Sequence, residues 1–301
     1  AIEKAHLQTT FHQPRPLPAS VALMTQEERK KWYATWSQTP AAQRWINQTN
    51  AVSQATRDYA FDVAGDGAFR ADHVVPGTYS LAVVYKLDVG PASPPLRTGS
   101  RVEAIVTVPP MPGGGSDQPL SAGTITIFPP PRAGVPAPDF AFTTSRGPVT
   151  LADFRGKVLL LIFWSVEAAQ PKADIDAVKA IWSAHGADPY FAMLGVNTDS
   201  DPALAQAYAA KFHFAFPLAY IGDPEKNDAA RAYQVIGGIA RVLIGPDGRV
   251  LLRQKFSPNR RVIDPQLYGK TLPQSVNHAL ASHHAGGSAA GGGAPSERPV
   301  W

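Results

Sequence analysis

The sequence predicts two domains of different class: a β-sandwich, then an α/β domain with a central mixed sheet and helices on both faces. Three observations carry this. Residues 59–128 hold several short strand-like runs separated by Asp-Gly and Pro-Gly turns, the pattern of packed antiparallel sheets. Residues 158–164 are apolar throughout and lead into a stretch with helical periodicity, which marks a strand covered on both faces. Between the two regions lies Pro129-Pro130-Pro131-Arg132-Ala133-Gly134-Val135-Pro136, which cannot enter a sheet interior because proline lacks the donor. A chain of 301 residues is also long for a single core.

Composition bounds the function. Hydrophobic residues make up 44% of the chain, enough for globular cores, while Pro 29 and Gly 25 call for many turns. The net charge is only +4, and no Lys/Arg stripe is interleaved with aromatics, so nucleic acid is not an expected partner. The basic residues Arg253, Lys255, Arg260 and Arg261 read as a solvated strand edge. No apolar run is long enough to cross a bilayer. The chain contains no cysteine. That absence, with an opening Ala1 in place of Met, fits a processed protein in an oxidising compartment. The expected location is extracytoplasmic, periplasmic or secreted, soluble or peripheral to a membrane complex, and not anchored through an N-terminal cysteine.

The first domain is expected over residues 1–128, with an N-terminal extension and a helical insert. Residues 26–36 read as a helix whose Trp32, Tyr33 and Trp36 share one face and pack over the sandwich. Strand 59–63, the Asp66-Gly67 turn, a strand at 68–70, the Pro76-Gly77 turn and strand 74–84 form an antiparallel meander. Strands at 102–108 and 124–128 follow, with a Pro/Gly loop at 109–119 between them. The phrase Asp66-Gly67-Ala68-Phe69 leading to Val75-Pro76-Gly77-Thr78-Tyr79 resembles the carboxypeptidase-regulatory-like, transthyretin-type β-sandwich. That resemblance covers about seventy residues and implies a binding or spacer module without catalytic residues of its own.

Residues 129–135 are the linker, and the second domain spans 136–256. Its elements follow in order: buried strand 158–164, helix 167–183 with Ile175, Val178, Ile181 and Trp182 inward, and buried strand 190–196. Helix 203–211, strand 216–220, helix 227–233 and the hairpin 242–252 around Gly245-Pro246-Asp247-Gly248 complete it. Residues 257–284 form an extension ending in a helix. The tail 285–301, rich in Gly, Ala, Ser and Pro, cannot bury enough apolar surface to fold unaided. Trp301 at its end is a candidate docking anchor.

Here a second resemblance is specific. Pro136-Ala137-Pro138-Asp139-Phe140, the segment Leu151 to Lys157, the Phe163-Trp164 strand end and the closing hairpin resemble the thioredoxin-like thiol–disulfide interchange and thiol-specific antioxidant superfamily over about 120 residues. The resemblance implies an attacking cysteine at Ala168 and a resolving one at Pro171, and neither is present. It also implies a cis-proline after Val235-Ile236-Gly237-Gly238, where this chain has Ile239. A cis bond before a non-proline is unfavourable by about 2.5–4 kcal/mol, so a trans 238–239 peptide and a remodelled loop are expected. Thiol–disulfide exchange needs a thiolate, and no other side chain replaces it.

Other chemistries lack a complete constellation. Glu167 has no companion nucleophile and reads as a helix-start carboxylate. Ser165 has no Gly-x-Ser-x-Gly surroundings and reads as an N-cap. Asp199-Ser200-Asp201 is a thin calcium hint and a better helix cap. His278, His283 and His284 cluster without a second ligand type, so no zinc site is expected. No catalytic residue, cofactor or metal is therefore assigned. The reading is a non-catalytic, redox-inactive protein-binding scaffold or accessory subunit of an extracytoplasmic assembly, with a larger envelope or membrane-associated complex as the candidate partner. Its docking face would be Trp164, Ser165, Glu167, Ala168, Gln170, Pro171, Ile239 and Arg241, with proline-rich segments 1–24, 109–119 and 256–301 draping over partners. The alternatives are a ligand- or glycan-binding module using Trp32, Tyr33, Trp36 and Trp45, and an enzyme with non-thiol chemistry.

Overall fold

The computed structural model describes residues 2–9, 18–87, 96–111, 113, 118–125, 131–166, 168, 172–235, 239–257, 260–263 and 272–289. Strand β1 (Ile2–Thr9) precedes a helical turn α1 (Ala19–Ala22) and helices α2 (Gln26–Trp36) and α3 (Pro40–Gln54). Strands β2 (Asp58–Phe61), β3 (Gly77–Leu87) and β4 (Leu96–Val108) follow. The chain divides into two compact units: Ala1–Pro16 with Thr35–Phe128, and Leu17–Ala34 with Pro129–Trp301.

The first unit is built on one antiparallel sheet in the order β2-β1-β3-β4. The period-2 pattern of β1 sends Ala5 and Leu7 to one face, where they meet Phe61, Tyr79 and Leu81. The Tyr79 hydroxyl donates to the Val75 carbonyl at 2.7 Å, and the Val75 N–H donates to the Tyr59 hydroxyl at 3.3 Å. The Asp-Gly turn forms as expected, with Gly67 at φ +89° and a single bridge between Val63 and Phe69. The meander is corrected: β1 lies between β2 and β3, so those two are not neighbours. The described residues of the first unit contain this one sheet and no second layer of a sandwich. Thr124 and Ile125 are not in a strand, and residues 126–128 lie outside the described set. Residues 2–9, expected to drape over partners, are instead an interior strand.

The second unit opens with β5 (Ala141–Thr144), β6 (Gly147–Thr150) and a 3-10 turn at Leu151–Phe154. Strand β7 (Val158–Trp164), helix α4 (Lys172–His185), strand β8 (Phe191–Asn197), helix α5 (Pro202–Lys211) and strand β9 (Leu218–Tyr220) alternate as β/α units. Helix α6 (Asp228–Ala232), strands β10 (Ile239–Ile244), β11 (Val250–Ser257) and β12 (Arg260–Ile263), and helix α7 (Leu272–Ala289) complete it. The sheet order is β12-β11-β10-β7-β8-β9-β5-β6. Strands β7, β8 and β9 are parallel, while β10 runs antiparallel to β7. Central β7 is buried along its whole length, so both of its alternating faces are apolar. Leu159, Leu161 and Phe163 pack toward α6 and the β5–β6 hairpin; Val158, Leu160 and Ile162 pack toward α4 and α7.

Two sequence expectations change here. The α2 helix keeps its expected bounds, but residues 17–34 group with the second unit rather than with the first. Its buried residue is Arg29, and Trp32 and Tyr33 are only half-buried. Strand β11, carrying Arg253, is also not an edge: it lies between β10 and β12. Arg253 donates to the Tyr233 carbonyl at 3.1 Å, bracing the turn after α6, while the side chains of Lys255, Arg260 and Arg261 lie outside the described set.

Candidate functional site

Parallel strands present their carboxyl ends together, and α/β sheets bind ligands there. At this end Trp164 of β7 stands in register with Asn197 of β8, and the loops that follow converge. The hub is Asp199, which is 6% exposed. Its carboxylate accepts from the Ser165 hydroxyl at 2.6 Å, the Val166 N–H at 2.8 Å and the Asn197 side-chain amide at 2.6 Å. The Asp199 N–H donates to the Asn197 side-chain carbonyl at 3.0 Å, closing a small ring of bonds. Three donors on one carboxylate fix the loop after β7 as tightly as a helix cap would. Ser165 is therefore a donor to Asp199.

Asp201, two residues on, caps α5 by accepting from the Ala203 and Leu204 N–H groups at 2.9 and 3.2 Å. Asp199 and Asp201 thus do different structural jobs, and the calcium reading of this loop loses its donor set. No group of three or more potential metal ligands occurs among the described residues. His284 instead pairs with Asp188 at 3.0 Å and stacks edge-on with Tyr190, tying α7 to the turn before β8.

Beside the Asp199 ring is an apolar cluster of Trp164, Val166, Ile175, Ala205, Tyr208 and Ala209, joined by Ala22 from α1. Trp164 is fully buried, edge-on to Phe214 at 5.3 Å and 5.9 Å from Tyr208. Among the described residues its indole N–H and the Tyr208 hydroxyl have no hydrogen-bond partner. Burial pushes the Tyr208 phenol up to about 12. Arg29 of α2, 3% exposed, donates to the Val166 carbonyl at 2.5 Å and to the Ala22 carbonyl. Lys211 of α5 donates to the Leu23 carbonyl at 2.7 Å. Residues from the N-terminal segment therefore lie on the end of the β7 strand.

The sequence-expected face fares unevenly. Ser165 and Ala168 are half-buried and available in part. Trp164 is inaccessible, and Arg241 is buried beneath the first turn of α4, where its guanidinium faces Asp174 at 4.0 Å. Neither can be a contact residue on the surface. Ile239 begins β10, but its side chain lies outside the described set, as do Glu167, Gln170, Pro171 and the 238–239 peptide. Trp301 lies there too. Arg29, Val166, Asn197 and Tyr208 were not foreseen as site members, and Asp199 was singled out only as a calcium hint or helix cap.

With that geometry, residues 133–253 match the model of the AhpC/TSA family. This segment is a thioredoxin-like domain. Solved structures similar to the chain include a protein assigned as the thiol:disulfide interchange protein DsbE of Chlorobium tepidum. It is 27% identical with a TM-score of 0.41, over 50% of this chain and 99% of that one. A thiol-disulfide oxidoreductase of Bacteroides fragilis is 22% identical with a TM-score of 0.37, over 40% and 89%. The thioredoxin domain of a Bacteroides vulgatus thiol-disulfide oxidoreductase is 18% identical with a TM-score of 0.39, over 50% and 96%. No curated protein matches the chain. The thioredoxin-like domain here has no sulfur nucleophile anywhere in its sequence, which is compatible with a redox-inactive role. No helix among the described residues is long and apolar enough to cross a membrane.

Proposed function

We propose that this chain is a redox-inactive, non-catalytic thioredoxin-like protein that serves as a protein-binding scaffold or accessory subunit of an extracytoplasmic assembly. The observation that carries this reading is the Asp199 ring. The loop in which the family resemblance implies thiols at 168 and 171 begins at Ser165 and Val166, and both are bonded to the Asp199 carboxylate, which also accepts from Asn197. In this reading the Asp199 carboxylate serves to hold the Ser165 hydroxyl and the Val166 N–H in place. The accessible docking residues in this reading are Ser165 and Ala168, with Glu167, Gln170, Pro171 and Ile239 beside them in sequence, and Trp301 as an anchor on the tail. The complete absence of cysteine supports an oxidising compartment.

The test is the native mass of the protein in a gently solubilised extract of its own cell. A species far heavier than one chain, with co-migrating proteins, is the expected result. A lone monomer would overturn the scaffold reading and direct attention to small ligands and glycans.

A further inference from the structure

A polypeptide already occupies the end of β7, and it belongs to this chain. Val21 and Ala22 are 1% and 7% exposed, and Ala22 packs into the cluster of Trp164, Val166 and Tyr208. The surface reads the segment's main chain through Lys211, which donates to the Leu23 carbonyl at 2.7 Å, while the segment's own Arg29 donates to the Val166 carbonyl at 2.5 Å. A surface that recognises main chain accepts an exchangeable peptide more readily than one that reads many side chains. The segment's helical turn α1 is only four residues long, and its buried residues are Val21, Ala22, Thr25 and Arg29. The cluster also contains two buried donors, the Trp164 indole and the Tyr208 hydroxyl, with no partner among the described residues. Such donors mark a surface that its present occupant fits incompletely.

We propose that residues 17–34 are a detachable latch, an intramolecular ligand filling a polypeptide-binding surface on the thioredoxin-like domain. The sequence that fits is a small apolar pair, Val21-Ala22, with an arginine seven residues after the alanine. This deepens the docking reading: while the latch is seated, the surface is closed to partners, and its release opens the surface.

The probe is a dye-labelled synthetic peptide of residues 17–34, added to the full chain and followed by fluorescence anisotropy. In the full-chain variant A22D/R29A, an aspartate is forced against the apolar cluster and the Val166 carbonyl loses its donor, so the latch leaves. That variant binds the peptide saturably. The wild-type chain binds at least about tenfold more weakly, because its own copy competes at an effective concentration of about a millimolar. Equal binding by both chains, or none by a variant whose β7 and β8 amides stay protected, overturns the latch. Hydrogen exchange on the wild-type chain gives a second reading that needs no variant. Amides of residues 21–34 exchange at least about tenfold faster than those of β7 if the segment opens locally, and equal protection overturns the proposal. Failure here leaves the native-mass result standing. A monomeric native species that still binds the peptide would remove the scaffold reading and keep the latch.

Discussion

Asp199 shows how a single carboxylate can organise a loop. Replacing it with alanine leaves the Ser165 hydroxyl, the Val166 N–H and the Asn197 amide without their acceptor. Ser165 is half-buried and the Asn197 amide also reaches the Trp164 carbonyl at 3.4 Å, so the main cost is the buried Val166 N–H, and Asp199→Ala is expected to destabilise the fold by about 1–3 kcal/mol in urea unfolding. Tyr208 is the opposite case. Its hydroxyl has no partner among the described residues, so Tyr208→Phe is expected to stay within about 1 kcal/mol of wild type at pH 7, or to gain stability. The same phenol makes the protein sensitive to alkali. Its folded pKa is raised from 10.0 to about 12 by burial, so its contribution is intact below pH 10 and is lost as pH rises toward 12. Between those values the unfolded chain has released the proton and the folded chain has not, so stability falls by about 1.4 kcal/mol per pH unit. Tyr233, also raised by burial, adds to the loss in the same direction. Unfolding of Tyr208→Phe followed against pH should show a shallower decline above pH 10.

Among the elements, β8 and α2 make the clearest predictions. Gly195 lies in the middle of β8, where a Cβ would come within 2.7 Å of Leu218 Cδ2 and 2.8 Å of Phe216 Cε2. Gly195→Ala should therefore overpack the interface of β8 with β9 and destabilise by about 1–3 kcal/mol, measured by thermal unfolding. Helix α2 begins with a capping box. Thr25 Oγ1 accepts from the Glu28 N–H at 3.3 Å, and Glu28 Oε2 accepts from the Thr25 N–H at 2.7 Å, which also lowers the Glu28 pKa. Thr25→Ala should loosen residues 18–34 by about 1 kcal/mol while leaving β7 protected, a change visible in local hydrogen exchange. The Thr-x-x-Glu spacing of that box is legible in sequence and fixes where the helix starts. Arg29 as its buried residue is not, because nothing in a polar, charged helix says which cation will be covered.

For the whole molecule, the loss of thiol chemistry can be tested directly. Installing cysteines as A168C/P171C is expected to restore no disulfide reductase activity above background. The N-terminal segment covers the adjoining end of β7, which restricts access to that loop. Reductase activity in the double variant would show that only sulfur had been lost.

By itself, the sequence determined the second domain's class and most of its elements. A fully apolar β7, the Ile175-Val178-Ile181 stripe of α4 and the Gly245–Gly248 hairpin are each written in consecutive residues, because local periodicity and turn chemistry are short-range. It also determined the absence of thiol chemistry, since composition alone settles that. Only the tertiary structure decided three other things: that β1 enters between β2 and β3, that residues 17–34 group with the second unit, and that Asp199 organises the loop after β7. These depend on contacts between residues far apart in the chain, Arg29 with Val166 and Ala5 with Val83 among them. Such contacts are selected by which buried surfaces and hydrogen bonds fit together in three dimensions, and that fit leaves no periodic trace in either segment alone.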